Sequence, residues 1–230
     1  MLDNVKTVLI YILRWEYVIG TLTVVATILQ FLSGVLVCKQ YVRNKTTGEA
    51  TALPFLLGVL SCSMWYLYGT VKDDDTIIFV NLVGLILMLF YTIVFYKFAL
   101  RSRDLNRQIL SCIVFSILMY GYVFHDDNIY RQQRILGSVS CCLTLLSVGA
   151  PLVKLYYVIK VKSTECLPFQ MILMSFFVSA LWLVYGLIKA DTFLIMPNII
   201  GGGLAMCQLC LFIIYPNTPP PLNLGKTFQA

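Results

Sequence analysis

The sequence writes one seventeen-residue pattern twice, as WYLYGTVKDDDTIIFVN at residues 65–81 and as WLVYGLIKADTFLIMPN at residues 182–198. Both copies begin with Trp, place Tyr-Gly three residues later and end on Asn sixteen residues after the Trp. The same offset of 117 residues also aligns the flanks, where Lys45 pairs with Lys162. A register that holds without a gap over several segments indicates an internal duplication.

The composition is typical of a chain whose solvent is lipid. Hydrophobic residues make up 59% and charged residues only 12%, whereas soluble domains carry about 25% charged residues. All eleven acidic residues lie in short polar intervals or at segment ends. Between them we predict seven transmembrane helices, each able to cross roughly 30 Å of hydrocarbon, at 17–38, 52–70, 77–96, 108–124, 135–158, 168–188 and 193–215.

The short apolar stretch at residues 5–13 precedes the first of these helices. No small-residue cleavage site follows it, which argues against a signal peptide. We therefore expect an interfacial or loosely ordered segment there.

The basic residues predict how the chain is oriented. Ten Lys and Arg residues follow helices 1, 3 and 5, and four follow helices 2, 4 and 6. The positive-inside rule places the richer set in the cytosol. The N-terminus is then extracellular or lumenal and the C-terminus cytosolic. Because the net charge of +6 is explained by topology, we expect no nucleic-acid partner.

Each copy of the repeat covers three helices, and the basic loop follows the first helix in both copies. Both copies therefore point the same way, which requires one additional crossing, supplied by helix 4. The predicted fold is all-α, with two parallel three-helix repeats joined by a linker helix (3+1+3). We expect the first repeat at 17–97, the linker helix and its loops at 98–130, the second repeat at 131–216 and a short cytosolic tail at 217–230.

The repeated Trp and Asn residues predict a binding cavity. Trp65 and Trp182 lie near the outer end of one helix, and Asn81 and Asn198 lie near the start of the next, at similar depth. Two repeats facing each other would surround one cavity with two indoles and two carboxamides. A carboxamide both donates and accepts hydrogen bonds, and a flat indole can cover a sugar ring, so we expect a neutral polyhydroxylated ligand. The alternatives are an interfacial Trp and an Asn that only ties helices together.

At these residues the chain resembles the SWEET sugar transporters, also called the saliva or PQ-loop-related family, and specifically its animal-type members. The resemblance rests on TGEATALPF, KSTECLPF, the two W-x-x-Y-G stretches, FVNLVG and MPNIIGG, and it covers about residues 18–216. Parallel repeats are a transporter layout of which the SWEETs are a known example. The resemblance implies bidirectional, uncoupled, facilitative transport of neutral mono- or disaccharides by alternating access, with no enzymatic activity, cofactor or metal. It further implies contact with membrane lipid, a small homo-oligomer, and residence in the plasma membrane, the Golgi or both.

The resemblance also implies roles for particular residues. Asn81 and Asn198 would hold sugar hydroxyls, and Trp65 and Trp182 would flank the ring. The outer gate would comprise Tyr68, Tyr185 and Asp191. The family places hinge prolines at four positions, of which this chain matches three, Pro54, Pro151 and Pro168, with Gly34 at the fourth. Proline weakens a helix by removing a donor, whereas glycine loosens it without imposing a kink, so the first helix is expected to bend differently.

Three other functions stay open at this point. A related PQ-loop carrier of amino acids or another solute would share the plan, although its relatives carry Pro-Gln where Pro54 and Pro168 are each followed by Phe. A seven-helix receptor has only the helix count in its favour, and an interaction protein would not transport. No carboxylate lies in the middle of a predicted helix, where proton or sodium relays usually sit, which favours an uncoupled carrier.

Overall fold

All the regular secondary structure in the described part of the chain is α-helix. The computed structural model describes residues 2–99 and 102–218. Arg101, one of the basic residues used to predict the cytosolic face, and residues 219–230 of the expected tail lie outside the described residues. No β-strand occurs within those two ranges. Their helices are α1 (Leu2–Leu32), α2 (Gly34–Asn44), α3 (Leu53–Lys72), α4 (Asp75–Phe98), α5 (Ser102–Phe124), α6 (Ile129–Ser147), α7 (Gly149–Val161), α8 (Phe169–Ile188) and α9 (Thr192–Ile214).

The number of membrane-spanning segments agrees with the sequence. Among the described residues, seven helical stretches are long and apolar enough to cross a membrane: Arg14–Asn44, Leu53–Lys72, Asp75–Phe98, Arg103–Phe124, Ile129–Val161, Phe169–Ile188 and Thr192–Ile214. Several extend past the predicted ends because polar residues flanking the apolar core still continue the helix. The segment at 5–13 belongs to α1, which begins at Leu2. Of the two alternatives expected for this segment, the helix contradicts the loosely ordered one, and the interfacial one stays a prediction.

Two of the seven spans are interrupted. The first span breaks at Ser33, between α1 and α2, and the fifth breaks at Val148, between α6 and α7. The apolar stretches predicted at 17–38 and 135–158 each contain one of these breaks, which hydropathy does not register because apolar residues continue on both sides. The breaks lie 115 residues apart, within two residues of equivalent points of the repeat, and near two of the expected hinge positions, Gly34 and Pro151.

Different local chemistry accompanies each break. Pro151 has no N–H with which to continue the hydrogen-bond ladder of α6. The first break has no proline. There the Ser33 hydroxyl donates to the Gln30 carbonyl at 2.7 Å, a side-chain bond that competes with the helical ladder and favours bending.

The duplication extends to the backbone conformation. Four described residues other than glycine have positive φ: Lys45 (53°), Asp73 (58°), Lys162 (57°) and Ala190 (49°). Lys45 and Lys162 end α2 and α7, and Asp73 and Ala190 lie in the turns before α4 and α9. Each pair is separated by the same 117 residues. Left-handed residues are costly outside glycine, so their recurrence shows that both copies follow the same path at these turns.

By their contacts, the residues form two compact units, Met1–Thr144 and Leu145–Ala230. In the first unit α3 packs against α4, which also contacts α1 and α2; in the second unit α8 packs against α9, which also contacts α7. Each unit has its own apolar cluster at one end of its hairpin. The clusters are Ala52, Leu56, Phe95 and Leu105 in the first unit, and Val158, Leu167, Ile172, Ala205 and Leu211 in the second.

Candidate functional site

The repeated seventeen-residue pattern forms a helical hairpin in each unit, α3–α4 and α8–α9. In the first hairpin, the backbone N–H of Asp74 donates to the Gly69 carbonyl at 3.0 Å, and in the second, Asp191 donates to Gly186 at 2.9 Å. Such a bond across a left-handed residue is a common way of ending a helix. It turns the chain sharply enough for the next helix to begin at once.

The same two aspartates cap the second helix of each hairpin. Asp74 Oδ1 accepts from the Ile77 N–H at 3.1 Å, and Asp191 Oδ1 accepts from the Phe193 N–H at 3.0 Å. Both carboxylates are buried. Asp191, expected in the outer gate, is therefore also an N-cap. Asp74, which was not assigned to the gate, has the same capping role, and its place before a helical apolar run was the signal for it.

The repeated glycines allow the helices of each hairpin to touch. A Cβ atom at Gly69 would lie 3.0 Å from Ile77 Cγ2 and 3.0 Å from the backbone nitrogen of Ile78. A Cβ atom at Gly186 would lie 3.0 Å from Leu194 Cβ. The Tyr-Gly step is thus repeated because a side chain at the glycine would separate the two helices.

The repeated aromatic residues pack on each other in the same way in both hairpins. The Trp65 and Tyr68 rings meet edge to face, with centroids 5.5 Å apart and planes at 88°. The Trp182 and Tyr185 rings do the same at 5.8 Å and 89°. Tyr68 and Tyr185 are almost completely buried. Each tyrosine therefore holds its tryptophan ring at a fixed angle.

A lysine lies over the tyrosine ring of each aromatic pair. Lys72 Nζ lies 5.9 Å from the centre of the Tyr68 ring, and Lys189 Nζ lies 5.7 Å from that of Tyr185. These distances are those of a cation–π contact. Lys72 and Lys189 are among the four basic residues that follow helices 2, 4 and 6 in the predicted topology, and their spacing of 117 residues could also have placed them with the aromatic pairs.

The indole of Trp65 is also anchored at its edge. Its Nε1–H donates to Thr144 Oγ1 at 3.0 Å, and the Thr144 hydroxyl donates to the Ser140 carbonyl at 2.9 Å. The Ser140 hydroxyl is fully buried and has no hydrogen-bond partner in the described part of the chain. Sequence reasoning missed both residues; the available signal was that Thr144 repeats Thr27 at the same offset.

The two asparagines bond only to their own helices. Asn81 Nδ2 donates to the Ile77 carbonyl at 2.8 Å, and Asn198 Nδ2 donates to the Leu194 carbonyl at 2.7 Å. Within residues 2–99 and 102–218, neither side-chain oxygen has a hydrogen-bond partner. Each carboxamide therefore keeps an acceptor and one N–H available, and neither ties two helices together.

The Trp and the Asn of each hairpin lie at matched depth, as the spacing predicted. Each is six or seven residues from the helix end that meets the turn, which corresponds to about 10 Å at 1.5 Å per residue. An aromatic face and a carboxamide are thus presented at one level of each hairpin.

The expected hinge residues divide into two kinds. Gly34 and Pro151 lie at the breaks in the first and fifth spans, as the first residue of α2 and the third residue of α7. Pro54 is the second residue of α3 and Pro168 is the N-cap of α8, positions where a missing N–H costs nothing. These two prolines begin helices and do not interrupt them. Pro197 inside α9 was not assigned a role, although it stands in an apolar run directly before Asn198.

Comparison with known proteins finds a matching family and similar relatives. Residues 17–103 and residues 134–220 each match the model of a family described as "Sugar efflux transporter for intercellular exchange". The chain is 38% identical over 202 residues to Sugar transporter SWEET1 of Drosophila pseudoobscura pseudoobscura, covering 86% of this chain and 88% of that protein. It is 33% identical to Sugar transporter SWEET1 of Caenorhabditis elegans, covering 90% of this chain and 69% of the relative.

A solved structure of a eukaryotic SWEET transporter superposes on this fold with a TM-score of 0.75 at 28% identity, covering 86% of this chain and 95% of the other. The predicted all-α fold with two repeats is confirmed by these matches. The relatives are named as transporters and not as enzymes. The chain is therefore an integral membrane protein that belongs to the SWEET family of sugar transporters.

Proposed function

We propose that this chain carries neutral mono- or disaccharides across its membrane in both directions, by alternating access and without coupling to an ion gradient. The observation that carries this proposal is the pair of asparagines whose side-chain oxygens have no partner among the described residues. Asn81 is buried and Asn198 is half-buried, and both keep hydrogen-bonding capacity that their own helices do not use. A ligand rich in hydroxyl groups would satisfy both carboxamides whichever way each hydroxyl points.

The sugar-binding residues in this proposal are Trp65, Asn81, Trp182 and Asn198. Each Trp offers an apolar ring face held in place by its tyrosine, and each Asn offers a donor and an acceptor. Tyr68, Tyr185 and Asp191 form the outer gate in the same proposal. Their positions at the ends of α3, α8 and α9 suit a role at one entrance to the binding site.

The hinges in this proposal are Gly34, Pro54, Pro151 and Pro168. Gly34 and Pro151 have direct support, since each stands beside a break in a spanning helix. Pro54 and Pro168 begin helices, so their movement would change the angle between a helix and its preceding loop.

The distribution of carboxylates favours uncoupled transport. In the seven spans, Asp and Glu occur only within the first three residues, at Glu16, Asp75 and Asp104. Proton and sodium relays usually place an ionisable side chain deep in the membrane. Without one, the driving force is the sugar gradient alone.

Counterflow in proteoliposomes tests the proposed activity. Purified protein loaded inside with one unlabelled sugar should take up the same labelled sugar, and a panel of mono- and disaccharides then identifies the substrate. An uncoupler should leave the flux unchanged, because no gradient drives it. Amino-acid exchange without sugar exchange would favour another PQ-loop carrier, and collapse of sugar flux with the uncoupler would contradict the uncoupled mechanism.

We also propose that the N-terminus is extracellular or lumenal and the C-terminus cytosolic, in the plasma membrane, the Golgi or both. The support is the excess of Lys and Arg in the loops after the first, third and fifth spans. Terminal epitope tags should show protease digestion of the C-terminal tag from the cytosolic side and protection of the N-terminal tag. Digestion of both tags from one side would contradict the count of seven crossings. Immunostaining of the same tags identifies the membrane.

A further inference from the structure

We infer that Tyr91 is a positioning residue for the hinge in the first span, and that it forms a mutually dependent pair with Gly34. This inference rests on the proposed alternating-access function. It concerns how this chain builds a hinge at a position where it has no proline.

Tyr91 lies on α4 and is fully buried against the break between α1 and α2. Its hydroxyl donates to the Phe31 carbonyl at 3.1 Å, two residues before the break at Ser33. Short-range hydrogen bonds hold the backbone around the break. For example, the Ser33 N–H donates to the Gln30 carbonyl at 3.2 Å. The Tyr91 hydroxyl therefore supplies a tertiary hydrogen bond at the point where the helical ladder changes.

The ring of Tyr91 occupies the space that a side chain at Gly34 would need. An ideal Cβ at Gly34 would lie 2.5 Å from Tyr91 Cε2 and 2.9 Å from Cδ2. The ring is itself packed against Phe55, with centroids 5.9 Å apart, so it has little freedom to move aside. Glycine is thus required here by the tyrosine ring.

The same helix holds Phe31 from its other side. A Cβ atom at Gly84, two turns before Tyr91 on α4, would lie 2.6 Å from Phe31 Cε2. Phe31 is consequently fixed through its ring at Gly84 and through its carbonyl at Tyr91. A change in the angle between α1 and α2 moves that carbonyl relative to α4, so the hydroxyl bond stabilises one setting of the hinge.

The second repeat contains a related arrangement with the sizes exchanged, in which the acceptor carbonyl lies three positions further along the repeat. Gln208 lies 117 residues after Tyr91, is buried, and donates through Nε2 to the Pro151 carbonyl at 3.1 Å. The hinge residue there is a proline, and the partner is a slim amide. In the first repeat the hinge residue is the smallest, and the partner is a large ring. In each unit, α4 or α9 thus sends a polar side chain to a backbone carbonyl at the break of its neighbour.

The steric contact between Gly34 and the Tyr91 ring is tested without any transport measurement. Gly34→Ala, Tyr91→Gln and the double variant are purified in detergent, and their thermal unfolding is compared with that of the unaltered protein. Gly34→Ala should lower the unfolding temperature. The decrease in the double variant should be clearly smaller than the sum of the decreases in the two single variants. Additive losses would overturn the pairing, and this result is obtained even if the chain carries no sugar.

The hydroxyl half is tested with Tyr91→Phe, which removes one oxygen and keeps the ring. The measured quantity is the ratio of the half-saturation constants for sugar influx and efflux in proteoliposomes. In an uncoupled carrier this ratio follows the equilibrium between the two conformations of the empty carrier, when the return of the empty carrier limits the cycle. Losing one hydrogen bond that favours one setting should change this ratio about 2- to 12-fold, with membrane abundance unchanged. Tyr96→Phe, on the exposed side of the same helix, is the control and should leave the ratio as it was.

An unchanged ratio in Tyr91→Phe would overturn the role of the hydroxyl. If the unaltered protein transports no sugar, the proposed function fails, and the unfolding comparison alone still decides whether Gly34 and Tyr91 depend on each other.

Discussion

Asn81→Ala and Asn198→Ala should each abolish most sugar flux while the protein remains in the membrane. Removing one carboxamide leaves a sugar hydroxyl buried without its partner, at about 1–3 kcal/mol, which corresponds to roughly a 5- to 150-fold loss of affinity. Each asparagine makes one bond to its own helix and no other among the described residues. The helices should therefore keep their packing when the side chain is shortened.

The measurement is counterflow at several sugar concentrations, normalised to membrane abundance. Asn106→Ala, at an exposed position near the start of α5, is the matched control and should transport normally. Normal flux in both Asn81→Ala and Asn198→Ala would remove these residues from the proposed site. A loss in only one of them would mean that the duplicated pairs have diverged in function.

Gly186→Leu should remove most of the folded protein, and Gly69→Leu should do the same. A Cβ atom at Gly186 already lies 3.0 Å from Leu194 Cβ and 3.3 Å from the backbone nitrogen of Ile195, so even alanine forces a shift. Overpacking of this kind costs about 1–3 kcal/mol, and three further carbons against backbone cost more. That is a large share of the roughly 5–15 kcal/mol that typically separates folded from unfolded protein.

Fluorescence-detected size exclusion of tagged variants measures the amount of monodisperse protein. Gly203→Leu is the control in α9, since nothing lies within 4 Å of its added Cβ, and it should give normal amounts. The amount of monodisperse Gly186→Ala should lie between the amounts of Gly186→Leu and Gly203→Leu. Normal amounts of Gly186→Leu would show that α8 and α9 can separate without loss of the fold.

The fold class could be predicted from sequence because its determinants are local and repeated. A run of apolar residues long enough to cross a bilayer has few structural solutions, since every backbone group must be satisfied within the segment. The offset of 117 residues then fixed the two-repeat plan, and the turns at Asp73 and Ala190 follow it down to their positive φ values. The Trp–Asn pairs were also found this way, because a duplicated pair at matched spacing stands out against an apolar background.

The sequence alone also shows a glycine and an aspartate repeated in each hairpin at the offset of 117 residues, but not the reason for them. The reason is tertiary: Gly69 meets Ile77 and Ile78 of the next helix, and such contacts depend on how closely two helices approach. Asp191 was predicted only for the outer gate and Asp74 was assigned no role, and the structure shows that both cap a helix.

Only the tertiary structure determines the break in the first span and the residues that stabilise it. Apolar residues continue on both sides of Ser33, so nothing in the apolar pattern marks the interruption. The bonds that stabilise the two breaks join residues 60 and 57 positions apart, Tyr91 to Phe31 and Gln208 to Pro151. Their existence depends on which helices become neighbours, and a hydrogen bond between distant residues leaves no periodic trace in the sequence. The duplication in the sequence points to these positions, and the packing of the helices determines the role of each residue.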